Sequence, residues 1–246
     1  MSWICLASHG RMSPALSADH GHLTPVPVIR RANPRGPPGV LRRRRQGGRL
    51  RPVKDAERRR IAGGPLPPTR ADLESARDRT VPDAAAPGLR VLFCGINPSL
   101  YSAATGHHFA RPGNRFWPAL HRSGFTSRQL RPDESDELLR LGLGITNLVA
   151  RATTTAAELG PDELRLGGRR LAAMVRRLRP GAVAVVGITA YRSAFRRPGA
   201  QLGGQPERLE GTLLWVLPNP SGLNAHFQLD ALAAAFAELR AEIDGD

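Results

Sequence analysis

Residues 90–117 read RVLFCGINPSLYSAATGHHFARPGNRFW, and the first seven of them set the interpretation of the whole chain. The segment 90–96 is short, nearly continuous in apolar residues and rich in Val, Leu and Ile, as is typical of a strand buried on both faces of a parallel sheet. Asn97 and Pro98 follow directly, and glycines, two histidines, a phenylalanine and a second asparagine crowd the residues after them. Such a loop is costly to order, so we predict that it is shaped around a ligand.

Three later segments share this apolar pattern: 144–149 (GITNLV), 182–188 (AVAVVGI) and 213–219 (LLWVLPN). Amphipathic helix candidates lie between and after them, at 115–123, 134–141, 161–178, 189–195 and 229–243. This alternation predicts an α/β fold, a three-layer α/β/α sandwich with a central, mainly parallel four-stranded sheet and right-handed crossovers. Ligands of such folds bind beyond the carboxyl ends of the strands. The loop after residue 96 and a second loop, PNPSGLNAHF (218–227), should meet at that edge.

The first part of the chain differs in composition from the rest. Residues 1–70 hold 15 of the 36 Lys and Arg residues and only 3 of the 21 Asp and Glu residues, mixed with Pro and Gly and without apolar periodicity. Such a segment cannot bury enough apolar surface to offset the entropy of ordering. We therefore predict a disordered Arg/Pro/Gly-rich tail over residues 1–68 and a folded domain over 69–246. The tail either binds phosphates through its arginines or has no role, as the product of a start upstream of Met12.

Several classes of site are excluded by the residue pattern. Two cysteines are too few for a disulfide framework or a four-thiolate cluster, and the adjacent His107 and His108 lack metal-ligand spacing. Neither Ser102 nor Ser221 has the Gly-x-Ser-x-Gly context of a nucleophile, and the loop glycines form no dinucleotide fingerprint. We therefore predict no metal and no cofactor. No segment approaches the roughly 18 apolar residues of a membrane span, so we expect a cytoplasmic protein without membrane contact.

Three residues of the two loops indicate a different chemistry. Asn97 offers a side-chain amide at the mouth of the sheet, Phe109 offers a ring that can stack on a planar base, and Leu223 is an apolar residue on a glycine-containing loop. Together they are typical of a base-flipping site, in which a wedge fills the gap in the duplex while the extruded base stacks in a pocket. Taken singly, each also has an ordinary structural interpretation, as a turn, a core ring and a packed leucine.

The stretches GINPSLYSAATGHHFARPGNRFW (95–117) and VLPNPSGLN (216–224) resemble the mismatch-specific uracil and thymine DNA glycosylases of the uracil-DNA glycosylase superfamily. The resemblance runs from residue 82 to 243 and includes GFTSRQL (124–130) and GGRRL (167–171). It implies the uracil-DNA glycosylase fold and a monofunctional DNA repair enzyme. Its substrate would be uracil, or thymine or a modified pyrimidine, mispaired with guanine in double-stranded DNA, and hydrolysis would leave an abasic site. We expect a monomer associated with the nucleoid.

The resemblance also implies roles for residues of the first loop. Asn97 would position the hydrolytic water, Ser102 would lie near the scissile bond, and Phe109 would stack on the base. Backbone amides of Ile96 and Phe109 would bind the base carbonyls. Ser99 departs from the family pattern, in which Gly is common, and this predicts a slightly altered turn. The supporting residues of this motif are Gly95 and Pro98.

In the second loop, the resemblance implies that Leu223 enters the base stack and that Gly222 and Asn224 contact the widowed guanine. Asn147 and Ala225 stand where a basic residue toward phosphate is expected, which predicts weaker DNA contact there, and the Arg-rich tail could compensate. The supporting residues of this motif are Asn219, Pro220 and Ser221.

Two other function classes stay open at the level of sequence. One is a DNA-binding module that recognises mismatches or lesions without cleaving them, against which Asn97 argues. The other is a small-nucleotide hydrolase on a similar layered fold, which would need a phosphate-cradling loop that the sequence does not show. If the glycosylase interpretation holds, turnover should be slow, because an amide orients a water molecule but does not accept its proton.

Overall fold

The computed structural model describes residues 66–223 and 227–245. Its strands are β1 (Val91–Gly95), β2 (Leu143–Asn147), β3 (Ala182–Val186), β4 (Gly203–Gly204) and β5 (Leu213–Leu217). Its helices are α1 (Arg70–Ser75), α2 (Leu100–Thr105), α3 (Phe116–Arg122), α4 (Ser135–Arg140), α5 (Pro161–Leu178), α6 (Ile188–Phe195) and α7 (Leu229–Asp244). Two short 3₁₀ helices span Pro132–Glu134 and Ala156–Glu158.

The five strands form one sheet in the order β2-β1-β3-β5-β4. The first four in that order are parallel, with Val91 opposite both Leu143 and Ala182, and Ala182 opposite Leu213. The predicted α/β fold with a mainly parallel sheet is confirmed, and the observed strand bounds differ from the predicted ones by one or two residues. The sheet also has a fifth strand, β4, which pairs antiparallel with β5 at the edge. Sequence patterning missed β4 because two glycines carry no side chains that could form a pattern.

Helices cover both faces of the sheet, and β1 illustrates why its sequence is continuously apolar. Val91 and Phe93 pack into a core formed with α3, α4 and α7, whereas Leu92 and Cys94 pack into a second core formed with α5 and α6. All four side chains are fully buried. Because successive strand residues point to opposite faces, a strand covered on both sides cannot alternate with polar residues.

Helix α5 holds the loop after β2 close to the sheet edge. It begins at Pro161, whose fixed φ suits the first helical position, and acidic residues follow in its first turn. A Cβ atom on Gly167 would lie 2.4 Å from the carbonyl oxygen of Leu148, and one on Gly168 would lie 2.9 Å from that of Ala194. The two glycines therefore permit a close approach of α5 to the loop after β2 and to α6.

Three sequence predictions concern parts of the chain that the structure describes only partly or not at all. Residues 1–65 lie outside the described residues, so the disordered tail stays a prediction. Within residues 66–223 and 227–245, no helix combines the length and apolarity needed to cross a membrane. In the same ranges, no three His, Cys, Asp or Glu side chains are grouped as a metal site.

Candidate functional site

The loops that follow β1, β2 and β5 line a cavity of about 360 Å³ at the carboxyl edge of the sheet. The structure thus brings the two Asn-Pro loops together at one site, and the loop after β2 joins them. Among the described residues that line the cavity, none is Asp or Glu. The lining includes Ile96, Asn97, Pro98, Ser102 and Phe109 from the first loop, Asn147 and Thr153 from the second, and Asn219, Pro220, Ser221 and Leu223 from the third.

Asn97 is held in the cavity wall by its amide nitrogen. Asn97 Nδ2 donates to the carbonyl oxygen of Arg151 at 3.1 Å and to Oγ1 of Thr153 at 2.7 Å. The Thr153 hydroxyl donates to the carbonyl oxygen of Thr155 at 2.8 Å, so toward Asn97 it can only accept. No residue in the described ranges donates to Asn97 Oδ1. The oxygen end of this carboxamide is therefore the end left for a ligand in the cavity.

The backbone that anchors Asn97 is itself fixed by ion pairs. The Arg151 guanidinium binds both carboxylate oxygens of Glu163, at 2.6 and 2.9 Å, and contacts Asp78 at 3.3 Å. The hydrogen bond to Glu163 raises the pKa of Arg151 further above its ordinary value, and the same bond lowers the pKa of the Glu163 carboxyl. Because Glu163 lies in the first turn of α5, this pair ties the Asn97 anchor to a long helix.

Phe109 forms an aromatic wall of the cavity in an unfavourable backbone conformation. Its φ is 52°, in the left-handed region that bulky residues rarely adopt. Its ring stacks on Phe116 with centroids 4.1 Å apart and an interplanar angle of 15°. A Cβ atom on Gly95 would lie 3.2 Å from Phe109 Cζ and 2.5 Å from Asn147 Oδ1. Gly95 therefore leaves room for both side chains at the end of β1.

Ser102 connects two parts of the first loop. It is 3% exposed, and its Oγ accepts hydrogen bonds from the Ser99 hydroxyl at 3.1 Å and from the Ala110 amide at 3.2 Å. Ser99 caps the N-terminus of α2, a short helix that sequence patterning treated as loop. The departure at Ser99 therefore has a local explanation, since its hydroxyl accepts from the Ser102 amide, as an N-cap does.

Asn147 lies inside the cavity, although sequence analysis treated it only as a phosphate-facing position that lacks a basic residue. It ends β2 opposite Gly95, and its Nδ2 lies 3.3 Å from Nδ1 of His108. His108 is 5% exposed, and its Nε2 lies 2.9 Å from the carbonyl oxygen of Pro82. Burial lowers the pKa of His108, so the ring is neutral near pH 7.

The third loop presents an exposed leucine beside the cavity. Leu223 is 72% exposed, and its amide donates to Ser221 Oγ at 3.3 Å. The Ser221 amide donates to Oδ1 of Asn219 at 3.0 Å, which makes the Asn-Pro stretch a side-chain-stabilised turn. The predicted guanine contact Asn224 and the departure at Ala225 lie outside the described residues.

Arg115 links the third loop to the first. Its amide donates to the carbonyl oxygen of Pro220 at 2.9 Å, and its guanidinium donates to the carbonyl oxygen of Ser221. A Cβ atom on Gly222 would lie 2.6 Å from the carbonyl oxygen of Gly113, so the two loops touch at the backbone. The exposed leucine and the cavity wall are thus parts of one connected structure.

Comparison with known proteins identifies the family. Residues 82–240, which include all five strands, both Asn-Pro loops and the residues named above as the cavity lining, match the profile of the uracil DNA glycosylase superfamily. The chain belongs to this superfamily. It is also similar to a solution NMR structure from Methanosarcina acetivorans, of a protein provisionally named a uracil DNA glycosylase. That similarity has 17% sequence identity and a TM-score of 0.46, and covers 66% of this chain and 98% of the other.

The superfamily membership agrees with the resemblance of the two loop motifs, and the mismatch-specific branch stays a prediction. The sequence alone did not indicate Thr153, His108 or Arg115 as residues of the site. It indicated a phosphate-facing position for Asn147, and not one inside the cavity. The pairing of Gly95 with Asn147 at the ends of adjacent parallel strands is the feature that places an amide in the cavity. The position of Asn147 in the cavity could have been predicted from the register between β1 and β2.

Proposed function

We propose that this member of the uracil DNA glycosylase superfamily removes uracil mispaired with guanine from double-stranded DNA, leaving an abasic site. The orientation of Asn97 carries the proposal. With Nδ2 bound to Arg151 and Thr153, Oδ1 accepts a hydrogen bond from a water molecule and directs its oxygen toward C1′ of the sugar. The C1′–N1 bond breaks and its electron pair leaves with the base, while the water oxygen forms the new bond to C1′. The proton that this water loses passes to solvent, from which the base anion takes up a proton after it has left.

The rest of the cavity binds the extruded base. Phe109, supported from behind by Phe116, stacks on the pyrimidine ring, and the backbone at Ile96 and Phe109 faces its carbonyls. Asn147 turns its carboxamide to the edge of the base that normally pairs with guanine or adenine. An aromatic face and a few fixed polar groups are the usual means by which a flipped base is held.

Loss of the base has to be driven by its own stability as an anion. No carboxylate lines the cavity among the described residues, and both nitrogens of His108 have hydrogen-bond partners. General-base catalysis, which contributes about a hundred- to ten-thousandfold elsewhere, is therefore absent from the proposed mechanism. The enzyme acts by placing the water and by stabilising the departing base, and its turnover is slow.

The exposed Leu223 completes the proposal on the DNA side. It enters the base stack and fills the gap that the extruded nucleotide leaves, while Gly222 and Asn224 meet the widowed guanine. Filling such a gap with an apolar residue offsets part of the cost of unstacking, which is a few kcal/mol per step.

The test is strand scission at abasic sites in a duplex with one G·U pair, compared with the same duplex carrying A·U or G·C. We expect cleavage of the G·U duplex by the unmodified chain. Asn97→Ala should bind that duplex and lower the single-turnover rate by at least about a hundredfold, since misplacing a catalytic group by 1 Å can cost that much. Binding without cleavage by the unmodified chain would instead indicate a mismatch-recognition module.

A further inference from the structure

We propose that His108 fixes the direction in which the Asn147 carboxamide faces, and that the cavity thereby selects the imide edge of uracil over the amino edge of cytosine. The inference rests on the proposed function and adds a positioning residue to it. His108 touches neither the sugar nor the water in this proposal, and it acts only through Asn147.

The hydrogen bonds of His108 determine which of its nitrogens carries the proton. Nε2 lies 2.9 Å from the carbonyl oxygen of Pro82, and a carbonyl oxygen can only accept, so Nε2 carries the hydrogen. In a neutral ring the other nitrogen, Nδ1, then has a lone pair and accepts. The Asn147 atom 3.3 Å from Nδ1 must therefore be the NH₂ group.

This assignment leaves the oxygen of Asn147 at a defined position. Asn147 Oδ1 lies beside Gly95 at the mouth of the cavity, since a Cβ atom on Gly95 would be 2.5 Å from this oxygen. One hydrogen of Nδ2 is used by His108, and the second hydrogen and Oδ1 are left for a base. The pair offered to the base is thus one acceptor and one donor, in an order that His108 dictates.

Uracil and cytosine differ in the edge that this pair would meet. Uracil presents an N3–H donor beside the O4 acceptor, whereas neutral cytosine presents the N3 acceptor beside an N4 amino donor. Asn147 as oriented matches uracil with two hydrogen bonds. To match cytosine the carboxamide must turn over, which would place Oδ1 against the Nδ1 lone pair of His108 and abolish the hydrogen bond between them.

The electrostatic surroundings keep His108 in the form that the argument needs. Burial is the main influence and lowers its pKa; the backbone hydrogen bond to Pro82 and the charge of Asp83 act in the opposite direction, and His107 lowers it further. The ring therefore gains a proton only below the ordinary histidine pKa of 6.5. An imidazolium would donate from Nδ1 and require Asn147 to turn its oxygen toward it.

The experiment measures Kd for two DNA duplexes that cannot be cleaved. They carry 2′-fluoroarabino analogues of deoxyuridine or deoxycytidine, whose glycosidic bonds resist hydrolysis because fluorine disfavours a cation-like sugar. Each analogue stands opposite an abasic analogue, so that neither base is paired. We expect the unmodified chain to prefer the uracil duplex by at least about tenfold, the value of one well-matched bidentate contact.

His108→Gln and His108→Leu should each reduce that preference to within about threefold, because Gln can donate or accept and Leu can do neither. The matched control is His121→Leu, which removes a histidine that also bonds a backbone carbonyl, 3.0 Å away on Thr126, and does not line the cavity. This control should keep the full preference. An unchanged preference in a folded His108 variant would overturn the inference.

If neither His108 variant folds, the inference is tested by the pH dependence of duplex binding by the unmodified chain. Affinity for the uracil duplex, relative to the same duplex without a base, should fall as His108 becomes protonated below pH 6.5, because uracil itself does not titrate there. The pH at which the His108 ring gains its proton is followed by NMR in the same series, and a ratio that stays constant through that protonation would overturn the inference. An Nδ1–H tautomer of the ring at pH 7 would overturn it as well. Failure of the proposed function would look different, since the unmodified chain would then not cleave G·U DNA at all.

Discussion

At the level of single residues, the direction of a carboxamide decides what it can do, and hydroxyls and carbonyls set that direction. Asn97 depends on Thr153, which is 1% exposed and relays a hydrogen bond from Asn97 to the Thr155 carbonyl. We predict that Thr153→Val lowers the single-turnover rate on G·U DNA about fivefold, as the loss of one hydrogen bond worth about 1 kcal/mol implies. Thr153→Ser should recover most of the rate, and Kd for the duplex should not change. A loss of rate that Ser does not recover would show that Thr153 acts through packing alone.

The absence of a general base among the described cavity residues leads to a second prediction at this scale. If the base must leave as an anion without proton transfer to an enzyme group, the rate should rise with the acidity of N1 in the departing base. A series of 5-substituted uracils opposite guanine, measured under single-turnover conditions, should give a logarithmic rate that increases with leaving-group acidity. Thymine should be among the slowest. A rate independent of that acidity would mean that another group supplies or accepts a proton.

At the level of elements, the contact between the first and third loops joins duplex opening to base binding. Arg115 donates to the carbonyl oxygen of Ser221, two residues before Leu223. We predict that Arg115→Gln lowers the rate on G·U duplexes at least about tenfold, because hydrogen bonds from charged groups contribute about 1.5–3 kcal/mol. The rate on single-stranded uracil DNA should fall much less, since no gap has to be filled there.

Arg122→Gln is the matched control for this prediction. It removes the same charge from α3, where Arg122 pairs with Asp230 on the solvent-exposed surface, and it should leave both rates near those of the unmodified chain. Combining Arg115→Gln with Leu223→Ala should cost less than the sum of the two changes if both act on the same step. Equal losses on duplex and single-stranded DNA would contradict the coupling.

The elements also show which features sequence patterning can and cannot predict. Helix α5 was predicted to the residue because Pro161 and two acidic residues mark its start and an amphipathic pattern runs through it. Helix α2 was missed because six residues between turn-forming segments carry too little periodicity, although Ser99 was a usable N-cap signal. Strand β4 consists of two glycines and exists only through its pairing with β5.

At the level of the whole molecule, the residues of the site also divide into those that local sequence can predict and those that it cannot. Asn97 and Phe109 could be predicted because they belong to one contiguous loop directly after a strand. His108, Asn147 and Thr153 act through partners 26 to 56 residues away in the chain. Those partnerships depend on which strands pair and in what register, and local sequence does not contain that information.

The charge distribution of the chain gives the last prediction, which concerns DNA binding as a whole. Residues 1–70 carry a large excess of Arg over acidic residues, whereas the remainder is close to balanced. Deleting residues 1–68 spares Thr69, whose side chain caps α1. We predict lower affinity for any duplex and a shallower dependence of log K on log salt, because each phosphate neutralised contributes about −0.9 to that slope. At saturating DNA the single-turnover rate should be unchanged. A slope equal to that of the full chain would exclude the tail from DNA contact, and loss of cooperative unfolding would show that residues 1–68 belong to the folded domain.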